Sequence, residues 1–193
     1  MSENVIIKEM MYNDKAEVKN MAKTIYEKFK NSGKEKIVIV NIGSSKIAGD
    51  MIGPLTGSFL IQSDIEFAVY GTMDYPITAI NIPTRLPEIK EDHKDDFIIA
   101  IDAAVSSDKT TKKGLISLKN RPIYPGKGIG RDLETIGDIS INVTVEYVDV
   151  DDDPFKTINK LHEASFSFIS CICETIKNII IYLDKEFVLD SIK

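Results

Sequence analysis

Two apolar runs, each followed by an aspartate, restrict the possible folds of this chain more than any other feature. Residues 37–40 are all Ile or Val and are followed, after a glycine-containing segment, by Asp50, and residues 97–101 lead directly into Asp102. Runs of this kind are typical of strands that are buried on both faces of a parallel sheet. We therefore expect Asp50 and Asp102 each to lie just past the carboxyl end of a strand, at the crevice where open α/β sheets form their sites.

Helical and extended patterns alternate along the rest of the chain. Residues 14–31 have helical apolar spacing and end near Gly33, a common helix C-cap. A long last helix is expected to begin at the acidic residues 151–153, with Pro154 in its first turn, and to run to about residue 183. Further helices are predicted over 51–63 and 83–92, and strands over 67–70, 114–118 and 138–148, with a further or edge strand over 77–82. This order predicts one α/β domain over residues 1–193 with a mostly parallel sheet.

Charge and composition narrow the classes of partner. The 193 residues carry a net charge of −6, which argues against nucleic acid as the main partner. The apolar stretch 166–183 contains Glu174 and Lys177, so it predicts a buried helix and not a membrane span. No signal peptide is expected from the first residues, and Cys171 and Cys173, two residues apart on a helix, face different ways and cannot readily bridge. These features predict a cytoplasmic protein.

The two aspartates allow more than one interpretation. Gly43 and Gly49 permit a tight backbone before Asp50, which could simply cap the next helix. Asp102 could likewise satisfy backbone amides beyond its strand. Two carboxylates in one crevice could instead share a proton or hold a metal ion. Their joint placement favours a functional pair.

Other chemistry has little support in the sequence. The segment 124–130 is rich in glycine but lacks the Gly-Lys-Ser/Thr of a phosphate-binding loop. His93 lies in a charged run that is typical of a solvated turn, and the spacing of His162 from the two cysteines matches no common zinc pattern. We predict no cofactor and no metal.

Four short segments resemble one family. Residues 49–55, Gly-Asp-Met-Ile-Gly-Pro-Leu, resemble the Gly-Asp-x-(Leu/Ile)-Gly-Pro-Leu box of the YyaC-like sporulation proteins. Residues 69–76, containing Tyr-Gly-Thr and a proline, are similar to a second box, and residues 99–103 and 125–128 to two more. The resemblance runs from about residue 36 to residue 148, and its specificity comes from the ordered set of four.

The resemblance extends to the spore germination protease and, remotely, to the hydrogenase-maturation endopeptidases. It implies a three-layer α/β/α sandwich of the phosphorylase/hydrolase type, with Asp50 and Asp102 as the catalytic pair. One departure is Tyr124, which stands where the germination protease has a histidine and where the hydrogenase proteases place a third nickel ligand. Two carboxylates without an imidazole make a poor nickel site.

The favoured hypothesis is an aspartate-dependent endopeptidase that acts on a protein or peptide substrate such as a spore protein, in the cytoplasm, forespore or spore core. Gly49, Gly126 and Gly128 are expected to contact the substrate, with loop amides near Gly126 stabilising the oxyanion. A non-catalytic binding or assembly protein of sporulation is the alternative, and a metal-binding maturation factor ranks lower. An oligomer is left open.

Overall fold

A six-stranded sheet forms the centre of the computed structural model, which describes residues 5–125, 133–149, 151 and 153–191. The strands lie in the order β1-β5-β6-β4-β2-β3. Parallel pairs join β2 to β3, β2 to β4 and β4 to β6, while β5 is antiparallel to both β1 and β6. Only β5 opposes the other strands, which confirms the mostly parallel sheet. The strands are β1 (Ile6–Met11), β2 (Ile37–Asn41), β3 (Ala68–Tyr70), β4 (Phe97–Ser106), β5 (Leu115–Lys119) and β6 (Ile139–Tyr147).

Helices cover both faces of the sheet. One face packs against α1, α2 and α5, and the other against α3 together with Ile123 and Ile136. The predicted three-layer α/β/α arrangement is therefore present. The helices are α1 (Val18–Ser32), α2 (Ile52–Ile61), α3 (Ile82–Asp92), α4 (Pro154–His162) and α5 (Phe166–Ser191), with a 3₁₀ turn at Ala48–Met51.

Helix α5 is the central helix of the apolar core on the sheet face that also packs against α1 and α2. It has the length and composition of a membrane span, but its apolar stripe from Ile169 to Leu183 is fully enclosed between α1, α2 and the sheet. Cys173 lies in the same stripe, and its thiol faces the carbonyl of Ile52 at 3.5 Å. This packing is that of a soluble α/β domain.

Three elements differ from the sequence prediction. Strand β1 was not predicted, because an edge strand that is half-exposed lacks clean alternation. The prediction of a single last helix is wrong, because α4 ends at His162 and a separate helix, α5, follows. The Ser165 hydroxyl accepts a hydrogen bond from the Phe168 amide at 3.3 Å and so caps the start of α5. Residues 77–82 form no strand, and only an isolated bridge from Ile77 to Ile42 remains. The predicted acidic start of α4 is confirmed, since the Asp153 side chain accepts from the Lys156 amide at 2.8 Å.

The order of the strands reverses at β2. The chain passes from β2 outward to β3 and then returns to β4 on the other side of β2. Such a reversal opens a crevice at the carboxyl ends of the strands, because the two connections leave in opposite directions. The segments that follow β2 and the second half of β4 meet at this crevice.

Candidate functional site

Asp50 is held by a loop that folds back on itself after β2. The Ser44 amide donates to the backbone carbonyl of Asp50 at 3.1 Å, and the Gly43 amide donates to Ile77 at 2.9 Å. Gly43 has φ 144°, and a Cβ there would lie 2.1 Å from the Asp50 carbonyl oxygen. No other residue could occupy this position without moving the Asp50 backbone.

Asp102 lies inside β4 and not past its end, which corrects the prediction. The strand continues to Ser106 because β6 pairs with it from Ile99 to that end, whereas β2 pairs only as far as Ile101. Asp102 is therefore the first residue of β4 that has no β2 neighbour. The crevice opens beside it for that reason.

The two aspartates line one cleft of about 320 Å³. The loop after β2 forms one wall, the second half of β4 forms the floor, and α4 closes another side. Most of the wall is apolar. Among the described residues that line it, Asp50 and Asp102 are the only acidic ones. The lining comprises Ile42, Gly43, Ser44, Ile47, Asp50, Thr78, Ala79, Ile80, Ile82, Asp102, Ala103, Ala104, Val105, Tyr124, Pro125, Thr157, Ile158 and Leu161.

The protein raises the pKa of both carboxyl groups, to different extents. Burial raises the pKa of Asp50 to about 6, against a smaller lowering by a backbone hydrogen bond from Ser44. Burial also raises the pKa of Asp102 well above its ordinary value, and the negative charge of Asp50 raises it further. The Ala103 amide and the Lys119 ammonium group oppose this rise. Because the charge of Asp50 adds to burial in raising the pKa of Asp102, the arrangement disfavours ionising both carboxyl groups at once.

Helix capping does not account for Asp50. The residues that precede the 3₁₀ turn and α2 are Ile47 and Met51, and neither helix start has a side-chain cap. Asp50 lies within the 3₁₀ turn with its carboxyl at the cleft. Its position is thus not explained by the stability of the next helix.

The three glycines expected to contact substrate have different positions. Gly49 is buried under α4, where a Cβ would lie 2.8 Å from Leu161 Cδ2 and 3.0 Å from Val145 Cγ1. It packs against protein and does not line the cleft. Gly126 and Gly128 lie outside the described residues, directly after Tyr124 and Pro125, which do line it. The substrate contacts of all three glycines remain predictions.

Several lining residues were missed by sequence reasoning. Thr157, Ile158 and Leu161 reach the cleft from α4, and their spacing on an amphipathic helix was the available signal. Ile80 stands at the cleft with 87% of its surface exposed. Tyr124, the departure noted in the sequence analysis, is half-exposed and lines the cleft.

A second set of polar side chains resembles catalytic machinery but lies elsewhere. The Tyr70 hydroxyl is 2.7 Å from His93 Nε2, and His93 Nδ1 is 2.8 Å from Asp96. His93 is therefore not a solvated turn residue as predicted, because it joins the end of α3 to β3. None of these three residues lines the cleft. Across the described part of the chain, no three His, Cys, Asp or Glu side chains form a cluster that could hold a metal ion.

Solved structures of similar shape include two proteases from Thermococcus kodakarensis. The NiFe hydrogenase maturation protease HycI matches with a TM-score of 0.38 and 17% identity, over 79% of this chain and 98% of that one. The maturation protease HybD matches with a TM-score of 0.41 and 11% identity, over 77% and 99%.

Two relatives by sequence are more informative. The chain is 33% identical to the uncharacterized protein YyaC of Bacillus subtilis (strain 168) over 132 residues, which are 68% of this chain and 63% of that protein. It is 25% identical to the germination protease of Oceanobacillus iheyensis over 122 residues, which are 56% of this chain and 33% of that protease. Each match thus spans less than two thirds of the relative's own length.

The family comparison covers most of the chain. Residues 9–179 match the family described as Protein of unknown function (DUF1256), and this range includes both aspartates and more than half of α5. Together with the match to YyaC, it confirms the resemblance predicted from the four sequence boxes. The chain belongs to the DUF1256 family.

Proposed function

We propose that this protein is an aspartate-dependent endopeptidase of spore-forming cells, with Asp50 as the general base and Asp102 as the general acid. One observation carries the proposal: two carboxyl groups line the same cleft, burial raises the pKa of both, and the charge of Asp50 raises that of Asp102 further. A pair of acids whose pKa values differ can supply one proton acceptor and one proton donor at the same pH. The match to the germination protease supports the peptidase chemistry.

The proposed reaction begins with a water molecule between the two carboxyl groups. The Asp50 carboxylate takes one proton from this water, and the water oxygen attacks the carbonyl carbon of the peptide. When the carbon–nitrogen bond breaks, the proton of Asp102 passes to the leaving nitrogen. The pair then carries its negative charge on Asp102, and a second proton transfer restores the resting state.

The proposed substrate is an extended polypeptide with an apolar side chain beside the scissile bond. Ile47, Ile158 and Leu161 supply the apolar wall near the aspartates, and the exposed Ile80 and Tyr124 supply its rim. An apolar residue there would also exclude bulk water and strengthen the interactions of both carboxyl groups. We further propose that the substrates are spore proteins and that the enzyme acts in the cytoplasm, forespore or spore core.

The test is cleavage of proteins extracted from dormant spores, with new termini identified by mass spectrometry. The wild type should generate defined fragments, and Asp50→Asn and Asp102→Asn should each generate none. Asp95→Asn is the matched control, because Asp95 is exposed and does not line the cleft. Equal fragment yields from the wild type and both cleft variants would disprove the aspartate mechanism.

A binding protein is the second candidate function, favoured by the tyrosine at position 124 in the cleft. In that case the cleft would hold a peptide without cleaving it. Titration with the same spore proteins would then give saturable binding but no new termini, and Ile158→Asp would weaken the binding.

A further inference from the structure

We propose that Lys119 is a positioning residue of this site, whose ammonium group stabilises the carboxylate that forms on Asp102 when it gives up its proton. The catalytic consequence rests on the proposed function. The interaction between Lys119 and Asp102 is independent of it and can be measured in the resting protein. No sequence motif pointed to Lys119, which ends an ordinary strand.

The register of three strands brings Lys119 to the same face of the sheet as Asp102. Asp102 pairs with Asn142 on β6, and Ser140, two residues earlier on β6, pairs with Lys119 on β5. Residues paired directly across strands project from the same face, and so do residues two apart along one strand. Lys119 and Asp102 therefore lie on one face, two strands apart and offset by two residues along the strands, which places their Cα atoms roughly 12 Å apart.

Only short side chains separate the two groups. Ser140 is buried, and its hydroxyl donates to Asn142 Oδ1 at 3.1 Å, which keeps both side chains close to the sheet. The four-carbon stem of Lys119 is long enough to extend over them toward β4. Lys119 is half-buried there, and the described residues give it no ion pair within 4 Å.

The charges around the two groups favour this interaction. Asp102 faces the acidic Asp50 from the 3₁₀ turn and the cationic Lys119 from β5. Lys119 faces Glu9 on β1 and Arg121 just after β5. The carboxylate of Glu9 also accepts a hydrogen bond from the Ser117 hydroxyl of β5 at 2.6 Å. Lys119 is therefore not the only β5 residue that interacts with Glu9. Burial lowers the pKa of Lys119 and the charge of Arg121 lowers it further, while the charges of Glu9 and Asp102 oppose this lowering. In return, the charge of Lys119 opposes the rise in the pKa of Asp102.

The proposed reaction gives this cation a function. Catalysis moves one negative charge from Asp50 to Asp102 without changing the charge of the pair. Lys119 shares a sheet face with Asp102 and opposes the rise in its pKa, whereas Asp50 lies on the 3₁₀ turn after β2. A cation that acts on the acid favours this movement of charge, because it stabilises the carboxylate that the proton transfer leaves on Asp102.

The experiment compares Lys119→Met with Lys119→Arg in the full chain. Carbon-13 NMR of labelled aspartate carboxyls follows the titration of Asp102, whose signal is the one missing in Asp102→Asn. In Lys119→Met, Asp102 should titrate at a higher pH than in the wild type, and in Lys119→Arg at the wild-type pH. Lys94→Met, an exposed lysine outside the cleft lining, is the control.

The catalytic arm uses the same variants. With a cleaved substrate in hand, Lys119→Met should lower kcat about tenfold with KM unchanged and move the alkaline limb of the pH profile upward, while Lys119→Arg restores both. Unchanged kcat in Lys119→Met would overturn the catalytic role. An inactive wild type would count against the proposed function alone, since the NMR titration does not depend on turnover.

A reciprocal measurement covers the case in which Lys119→Met does not fold. In Asp102→Asn, the Lys119 ammonium group should lose its proton at a lower pH than in the wild type, followed by nitrogen-15 NMR. Unchanged titration of Asp102 in Lys119→Met, or of Lys119 in Asp102→Asn, would overturn the interaction.

Discussion

The carboxyl groups of Asp50 and Asp102 line one cleft, and the negative charge of Asp50 raises the pKa of Asp102. The first comes from a 3₁₀ turn that follows β2, and the second from within β4. They meet because β2 stops pairing with β4 at Ile101, which leaves the next residue of β4 open to the cleft. This relationship makes the site testable through stability, pH dependence and backbone geometry.

Removing the charge of Asp50 should stabilise the protein at neutral pH. Its pKa is raised from 3.8 to about 6 in the folded state, so the folded protein binds a proton more tightly than the unfolded chain. The wild type therefore loses stability as the pH rises through this interval, and above it the full penalty persists. The shift corresponds to at most about 3 kcal/mol, and partial exposure of Asp50 reduces it to an expected ~1–2 kcal/mol.

Urea unfolding of the wild type and Asp50→Asn measures this difference. The free energies of unfolding should differ most at pH 7.5 and converge near pH 3, where both states of the wild type are protonated. Asp95→Asn should show no such pH-dependent gain. A variant less stable than the wild type at pH 7.5 would contradict the burial penalty on Asp50.

The pH profile of peptidase activity should have an acid limb near pH 6. The base must be ionised to accept a proton from water, and burial raises the pKa of Asp50 to about 6. Activity should therefore rise as the pH increases through 6 and fall at a higher pH, where Asp102 loses its proton. The measurement is kcat/KM across pH 4 to 10, and an acid limb near pH 4 would exclude Asp50 as the base.

Gly43→Ala should disrupt the site through the backbone. The added Cβ would lie 2.1 Å from the Asp50 carbonyl oxygen, so the loop must move and carry Asp50 with it. We expect a loss of more than ~2 kcal/mol in the free energy of unfolding and loss of activity.

Gly33→Ala is the control that separates the steric clash of a new Cβ from the cost of placing alanine at a positive φ angle. Gly33 has φ 74° at the C-cap of α1, and no described atom beyond its chain neighbours lies within 4 Å of the position that a Cβ would take there. This change should cost about 1 kcal/mol and leave activity intact. Equal effects of the two substitutions would show that the contact with Asp50 is unimportant.

His93→Ala should affect stability but not activity. It would leave the Tyr70 hydroxyl and the Asp96 carboxylate without their shared partner, at an expected cost of about 1–3 kcal/mol. Tyr70→Phe removes only one of these hydrogen bonds and should cost about 1 kcal/mol. Thermal unfolding and kcat/KM together test this prediction, and a folded but inactive His93→Ala protein would assign the histidine to the reaction.

Much of the architecture was predictable because it depends on local patterns. The Ile and Val run of β2 is buried on both faces, and the helical stripe of α1 faces the core as expected. The pair Asp50 and Asp102 could be nominated because each follows such a run. The break between α4 and α5 was missed, since residues 163–165 between the helices include no Gly or Pro and the capping role of Ser165 is a weak local signal.

Local patterns were enough to predict which strands are buried, where most helices form and which two acids belong to the candidate site, since hydrophobic periodicity and the residues that end each run are local properties. The position of Asp102 inside β4, the closure of the cleft by α4 and the shared face of Lys119 and Asp102 became visible only in the folded chain. These features depend on the order and register of strands far apart in the chain. Hydrogen bonding between strands and the packing of both faces fix that register, and no single segment encodes it.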